Sequence, residues 1–167
     1  MAELIKQEFQ DGLKAKLGDA ILDVQMLDML TITVKRDAIF NVIKCLKEET
    51  EFNFMYLTSM CGMHYATTPN EQLGMVYMLH NLENNWRIRI KIYFPINDPN
   101  VQTITPLFSA ANWMEREAFD FFGIIFKGHP NLKRILNMED ITFFPLRKDF
   151  PLEDPNRKDK NDAMFGR

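Results

Sequence analysis

Four charged residues crowded into one short stretch, Glu115, Arg116, Glu117 and Asp120, are the first place where this sequence could do chemistry. Paired carboxylates serve either as acid and base across a reacting bond or as hard ligands for a metal ion. Dimetal helical sites use Glu-x-x-His on two helices plus further glutamates, whereas here no histidine follows at that offset and no second such motif exists. Arg116 and Asp120 stand at i, i+4, a spacing that predicts an ordinary surface ion pair worth about 0.3 kcal/mol. Cys61-Gly62-Met63-His64 has half the donors of a structural zinc site, but the sequence supplies no second pair at ligand spacing. The three histidines, His64, His80 and His129, fall in unrelated segments, and a lone histidine more often satisfies a hydrogen bond than it acts as ligand or base. Gly123 and Gly128 flank Ile-Ile-Phe-Lys without the spacing that cradles a phosphate. No residue is therefore assigned a catalytic role, and no cofactor or metal is expected on this chain.

The elements that must position these residues follow from periodicity. Leu4, Ile5, Phe9, Leu13 and Leu17 predict a first helix over 3–17, stopped at Gly18. Two short strands, 20–25 and 29–34, turn at Leu27-Asp28. Ile39, Phe40, Ile43 and Leu46 predict a helix over 36–49, with Cys45 packed inside it. The apolar run 52–65 reads either as a buried strand bent at Gly62 or as a helix. Trp86, Ile88, Ile90, Ile92 and Phe94 alternate with polar residues, the mark of a half-buried strand. Its antiparallel partner is 72–81, joined through Glu83-Asn84-Asn85. Pro95 and Pro99 bracket a polar loop, and Thr105-Pro106 predicts the start of a helix over 106–122 that Gly123 ends. The fold class expected is α+β, a mixed or antiparallel sheet with packed helices and an extended C-terminal arm.

At 167 residues with an apolar fraction of 46%, the chain has enough material for one compact core, which sets disorder aside. A net charge of −3 gives no electrostatic reason to expect nucleic acid. The apolar runs are too short to cross a bilayer. The N-terminus lacks the pattern of a signal or transit peptide, so a cytoplasmic bacterial protein is expected. Two cysteines, Cys45 and Cys61, give no disulfide framework.

Residues 1–136 are read as the domain and 137–167 as a tail. That tail mixes alternating charges and prolines with Phe143, Phe144, Phe150, Leu152 and Phe165. Aromatics punctuating such a segment suit a chain laid on a surface, either that of another protein or that of its own domain. The helix Trp113–Phe122 carries large aromatics around most of its circumference, so it is expected either deep in the domain with its charges paired or at an interface.

The run from Glu115 to Ile124 followed by Phe126-Lys127-Gly128-His129-Pro130-Asn131-Leu132-Lys133-Arg134-Ile135-Leu136 is similar to the signature of the C-subunit family of NADH-quinone oxidoreductase, respiratory complex I. Pro145-Leu146-Arg147-Lys148-Asp149-Phe150-Pro151-Leu152-Glu153 resembles the segment that follows it in that family. The resemblance implies a peripheral-arm component with subunits D, B and I as partners, packed against the quinone-site D polypeptide and near the iron–sulfur polypeptides B and I. FMN, iron–sulfur clusters and quinone would then belong to partner subunits, with this chain peripheral on the cytoplasmic face of the bacterial inner membrane. In some relatives the C and D polypeptides are fused; this chain, ending at Gly166-Arg167, looks like the separate form. Candidate interface residues are Trp113, Glu115, Arg116, Glu117, Asp120, His129, Pro130, Arg134, Arg147 and Phe150. Two alternatives remain open: the equivalent subunit of a membrane-bound hydrogenase, and a free-standing protein-binding module.

Overall fold

The computed structural model describes residues 11–150. The expected first helix is helical over 11–17 (α1), and the rest of its span, 3–10, lies outside the described residues. Strands β1 (Ile21–Met26) and β2 (Leu30–Val34) form an antiparallel hairpin, and a tight turn at Arg36–Ala38 leads into α2 (Ile39–Glu48). Then come β3 (Tyr56–His64), β4 (Leu73–Asn81), β5 (Trp86–Phe94), β6 (Asn100–Gln102), α3 (Ala111–Phe122) and β7 (Ile125–Lys127). The main sheet has the order β1-β2-β5-β4-β3, antiparallel except for the parallel pairing of β2 with β5. A separate parallel pair joins β6 to β7. The architecture is α+β with a mixed sheet, as the periodicities predict.

Register explains where the core lies. Residues opposite one another on neighbouring strands share a face of the sheet, so the pairs Ile32↔Ile90, Ile90↔Tyr77 and Tyr77↔Met60 run one apolar row across four strands. All four side chains are buried. Helix α2 adds Ile39, Val42, Ile43 and Leu46, whose three- and four-residue spacing forms one helical stripe in the same cluster. The β4–β5 turn is closed by Asn85 at φ 53° and by Asn84 N–H donating to Asn81 Oδ1, local bonding that asparagine offers in turns.

Two expectations are corrected. The segment 52–65 is not a buried strand bent at Gly62: β3 is an edge strand with exposed residues, continuous through Gly62, and its irregularity lies between Leu57 and Ser59. Gly62 serves another purpose, since a Cβ there would sit 2.5 Å from the Phe122 ring, and its absence lets α3 lie close against β3. The helix after Thr105-Pro106 begins only at Ala111. Residues 104–108 make a single turn instead, with Phe108 N–H on Ile104 O. The Thr105 hydroxyl, needed for a cap, pairs with Thr103, and Ile104 N–H is drawn to the side of α3. The pair β6–β7, hidden in what reads as a loop, was not foreseen: three-residue strands carry too little alternation to be seen.

Candidate functional site

Helix α3 organises the site, and its termini dictate the geometry. Its C-cap, Gly123, sits at φ 72°, the left-handed conformation that ends many helices. A Cβ there would lie 2.5 Å from the Phe144 ring and 2.7 Å from the Arg147 guanidinium, so a side chain is excluded by contact as well as by φ. The chain then passes through β7 and returns over α3 as a strap, residues 131–150.

Asp120 holds that strap. It is wholly buried, and its Oδ2 accepts the backbone N–H groups of Ile135, Leu136 and Asn137 at 3.1, 2.8 and 2.9 Å. Oδ1 accepts from Arg134 at 2.8 Å and from the Asn137 amide at 3.0 Å. Burial alone would raise this carboxyl, but the amides of Asn137 and Leu136, Arg134 and the Ile135 amide together hold it well below the usual carboxylate range. Arg134 also donates to the carbonyls of Asp120, Ile141 and Phe143. Its guanidinium lies 5.3 Å from the Phe144 ring, and that of Arg147 lies 4.4 Å from the same ring. Arg147 Nε donates to Phe122 O at 2.6 Å, and Lys148 N–H donates to His64 Nδ1 at 2.8 Å. A nitrogen accepting that N–H carries no proton, so Asp149, 3.6 Å away, does not form an ion pair with it.

The predicted Arg116–Asp120 pair does not form, because both partners are drawn into the strap. Arg116 donates to the carbonyls of Lys133 and Arg134, with its guanidinium 5.0 Å from the Trp113 ring. His129 Nδ1 accepts from Asn131 N–H, so Nε2 carries the proton and donates to Asn112 O at 3.1 Å. Phe150 stacks on Phe143 with centroids 4.2 Å apart. Thus Arg116, Asp120, Arg134, Arg147 and Phe150 belong to one assembly of helix and strap, and His129 pins its beginning. Pro130 and Glu117 are exposed, and Glu117 acts on Cys61, whose thiol burial and then that charge push up. Glu115 points elsewhere. It is buried, accepting from Thr103 Oγ1 at 2.5 Å and from Ile104 N–H at 2.8 Å, and burial raises its carboxyl to about 7 against those two bonds.

Sequence reasoning missed Gly62, Thr103, Asn137 and Phe144. Among the described residues no group of three or more His, Cys, Asp or Glu is placed to hold a metal ion, and no helix is long and apolar enough to cross a membrane. An open cleft of about 410 Å³ lies between Arg36, Asp37, Asn100, Val101, Gln102, Lys127 and Gly128, and none of the predicted site residues lines it. Several large apolar side chains stay outward near α3: Trp113, Leu136, Met138 and Leu146 are more than half exposed, and Phe143 is 40% exposed.

Fold and site define an α+β domain whose signature helix commits Arg116 and Asp120 to its own C-terminal strap. Residues 32–156 match the family described as respiratory-chain NADH dehydrogenase, 30 Kd subunit, and the chain belongs to that family. The C polypeptide of NADH-quinone oxidoreductase from Citrifermentans bemidjiense is 40% identical over 147 residues, covering 87% of this chain and 89% of that one. The corresponding C polypeptide of Geobacter sulfurreducens is 35% identical, covering 87% and 90%. Among solved structures, the trypsin-resistant fragment (1-134) of Nqo5 superposes with a TM-score of 0.63 at 31% identity, covering 77% of this chain and 99% of the fragment. A chain of an archaeal membrane-bound sulfane sulfur reductase shares the fold, with a TM-score of 0.75 at 23% identity and coverage of 88% and 86%. Family membership makes this a subunit of the respiratory-chain enzyme, one chain of a multi-subunit complex.

Proposed function

We propose that this chain is a connecting subunit in the peripheral arm of a proton-pumping NADH:quinone oxidoreductase, a scaffold that performs no chemical step. The observation that carries this reading is the fate of the signature charges. Arg116, Asp120 and Arg134 are each consumed by backbone groups of the chain itself, so they rigidify a surface and are not free to act on a substrate. Buried polar networks that are fully paired fix one geometry, and a rigid helix–strap unit with exposed Trp113, Leu136, Met138 and Leu146 suits a subunit that fixes distances between neighbours.

In this reading subunits D, B and I are the neighbours, and they carry the quinone site and iron–sulfur clusters, with FMN elsewhere in the complex. The tail read over 137–167 is described only as far as Phe150, with 151–167 outside the described residues, and in this reading the tail as a whole serves contact with the D polypeptide. The chain sits peripherally on the cytoplasmic face of the inner membrane, held there by its partners. The equivalent role in a membrane-bound hydrogenase is the weaker alternative, since the relatives above at 35–40% identity bear the NADH-quinone oxidoreductase name. Purifying the tagged chain from its native membrane tests the proposal. Recovery of partners with NADH- and quinone-reactive sites is the expected result, and recovery of a hydrogen-evolving assembly, or of the chain alone, refutes it.

A further inference from the structure

None of the hydrogen bonds of Glu115 reaches the strap, and the scaffold reading leaves this buried carboxyl unused. Its surroundings are unusual for a buried acid. Among the described residues no cationic side chain acts on it, and it is solvated by a file of two threonines. Thr103 Oγ1 is 2.5 Å from Glu115 Oε2 and 2.9 Å from Thr105 Oγ1, and it also receives Thr105 N–H at 3.2 Å. Thr103 is buried and Thr105 half-buried, so the file runs from the interior toward solvent.

A hydroxyl offers one proton and two lone pairs, and that inventory closes here in two ways. With Glu115 ionised, Thr103 donates to the carboxylate and accepts both from the Thr105 hydroxyl and from Thr105 N–H. With Glu115 protonated, the acid donates to Thr103, Thr103 donates to Thr105 Oγ1, and Thr105 N–H keeps its place. Ile104 N–H stays on Oε1 in both. Changing the charge therefore breaks no direct hydrogen bond of the carboxyl. Two hydroxyls reorient while the proton of the acid passes to Thr103, that of Thr103 to Thr105, and that of Thr105 to water, leaving a carboxylate and one hydrated proton.

The groups around the file do not compete. Tyr77, facing it from β4, has a wholly buried hydroxyl with no partner among the described residues, and burial followed by the charge of Glu115 pushes it well up, so it stays protonated. On α3 itself Arg116 is spent on strap carbonyls, and the His129 ring on Asn112 O. Lys47 from α2 donates to Leu107 O.

We propose that Glu115, Thr103 and Thr105 form a proton-exchange site, a buried carboxyl that binds and releases one proton to solvent through two threonine hydroxyls without a change of fold. Burial places its titration at about 7, so both forms are populated near neutrality.

Infrared difference spectroscopy on the full chain, stepped from about pH 6, where ordinary carboxyls are already ionised, to about pH 9, reads the site directly through the C=O band of a protonated carboxyl. The band is expected to vanish with a midpoint near 7 and to be absent in Glu115→Gln. Thr103→Val removes a donor to the charged form and moves the midpoint up by about one to two pH units. Thr105→Val leaves the midpoint nearly in place but slows loss of the deuterated-acid band after dilution into light water by roughly tenfold. A carboxyl band missing at the acid end, a band retained in Glu115→Gln, an unmoved midpoint in Thr103→Val or an unchanged exchange rate in Thr105→Val overturns the proposal.

Discussion

Replacing Asp120 by asparagine preserves shape and removes charge, and it isolates what one carboxylate does for the strap. Asparagine has a single acceptor oxygen, whereas Asp120 uses one oxygen for three backbone amides and the other for Arg134 and Asn137. If that oxygen faces the amides, its NH2 group meets the Arg134 guanidinium; if it faces Arg134, the NH2 meets three N–H donors. Either way several donors lose their acceptor inside the protein, and the Arg134 side chain, only 10% exposed, keeps its charge without its partner. Removing one member of such a pair costs about 3–5 kcal/mol. Against a total domain stability of about 5–15 kcal/mol, this is a large fraction. With a urea slope near 2 kcal/mol/M, the unfolding midpoint falls by roughly 1.5–2.5 M. Limited trypsin digestion is expected to cut first after Lys133, Arg134 or Arg147 in the variant. Adding Arg134→Met to Asp120→Asn removes the orphaned charge and recovers part of the loss, because the amides can then keep the remaining oxygen. A midpoint shift below about 0.5 M, or a double variant weaker than the sum of its singles, refutes the reasoning.

Three further outcomes follow from the same geometry. Gly123→Ala forces a left-handed φ on a residue with a Cβ that would overlap Phe144 and Arg147, and it lowers stability by about 2–4 kcal/mol in chemical denaturation, with loss of strap protection from hydrogen exchange. Glu115 has a folded-state value raised to about 7; because the unfolded chain releases that proton near pH 4.3, stability falls as pH rises from about 4.5 to about 7, by roughly 3 kcal/mol, and this slope is missing in Glu115→Gln melted across the same range. Arg116→Ala loses two carbonyl contacts and its seat beside Trp113; it lowers the yield of assembled complex, read by native electrophoresis, more than the turnover per assembled complex.

Much of the sheet was legible because its signals are periodic. The alternation of Trp86 to Phe94, paired with 72–81 through Glu83-Asn84-Asn85, announced a hairpin, and the stripe of α2 announced its buried face. What stayed hidden was decided by contacts distant in sequence. Arg116 and Asp120 fit the i, i+4 rule and still do not pair, since carbonyls and amides 15–18 residues onward compete for them and win. Thr105-Pro106 has the composition of a helix start, but a buried glutamate ten residues later claims the hydroxyl network and the Ile104 amide. Gly62 reads as a bend because nothing local reveals that the Phe122 ring will occupy the space of its missing Cβ. The candidate site was legible as a place, the run from Trp113 to Leu136, and not as an arrangement.

The clamp around Asp120 also imposes an order on the synthesis of the chain. Every group that satisfies this carboxylate, from Arg134 to Asn137, is translated after it, within 17 residues. Until Asn137 has emerged, α3 cannot bury its C-terminal half without stranding a charge, so the helix and strap must settle together as one late event. A message that stops before that codon yields a chain whose Asp120 carboxylate lacks every one of these partners, a built-in mark of an unfinished product.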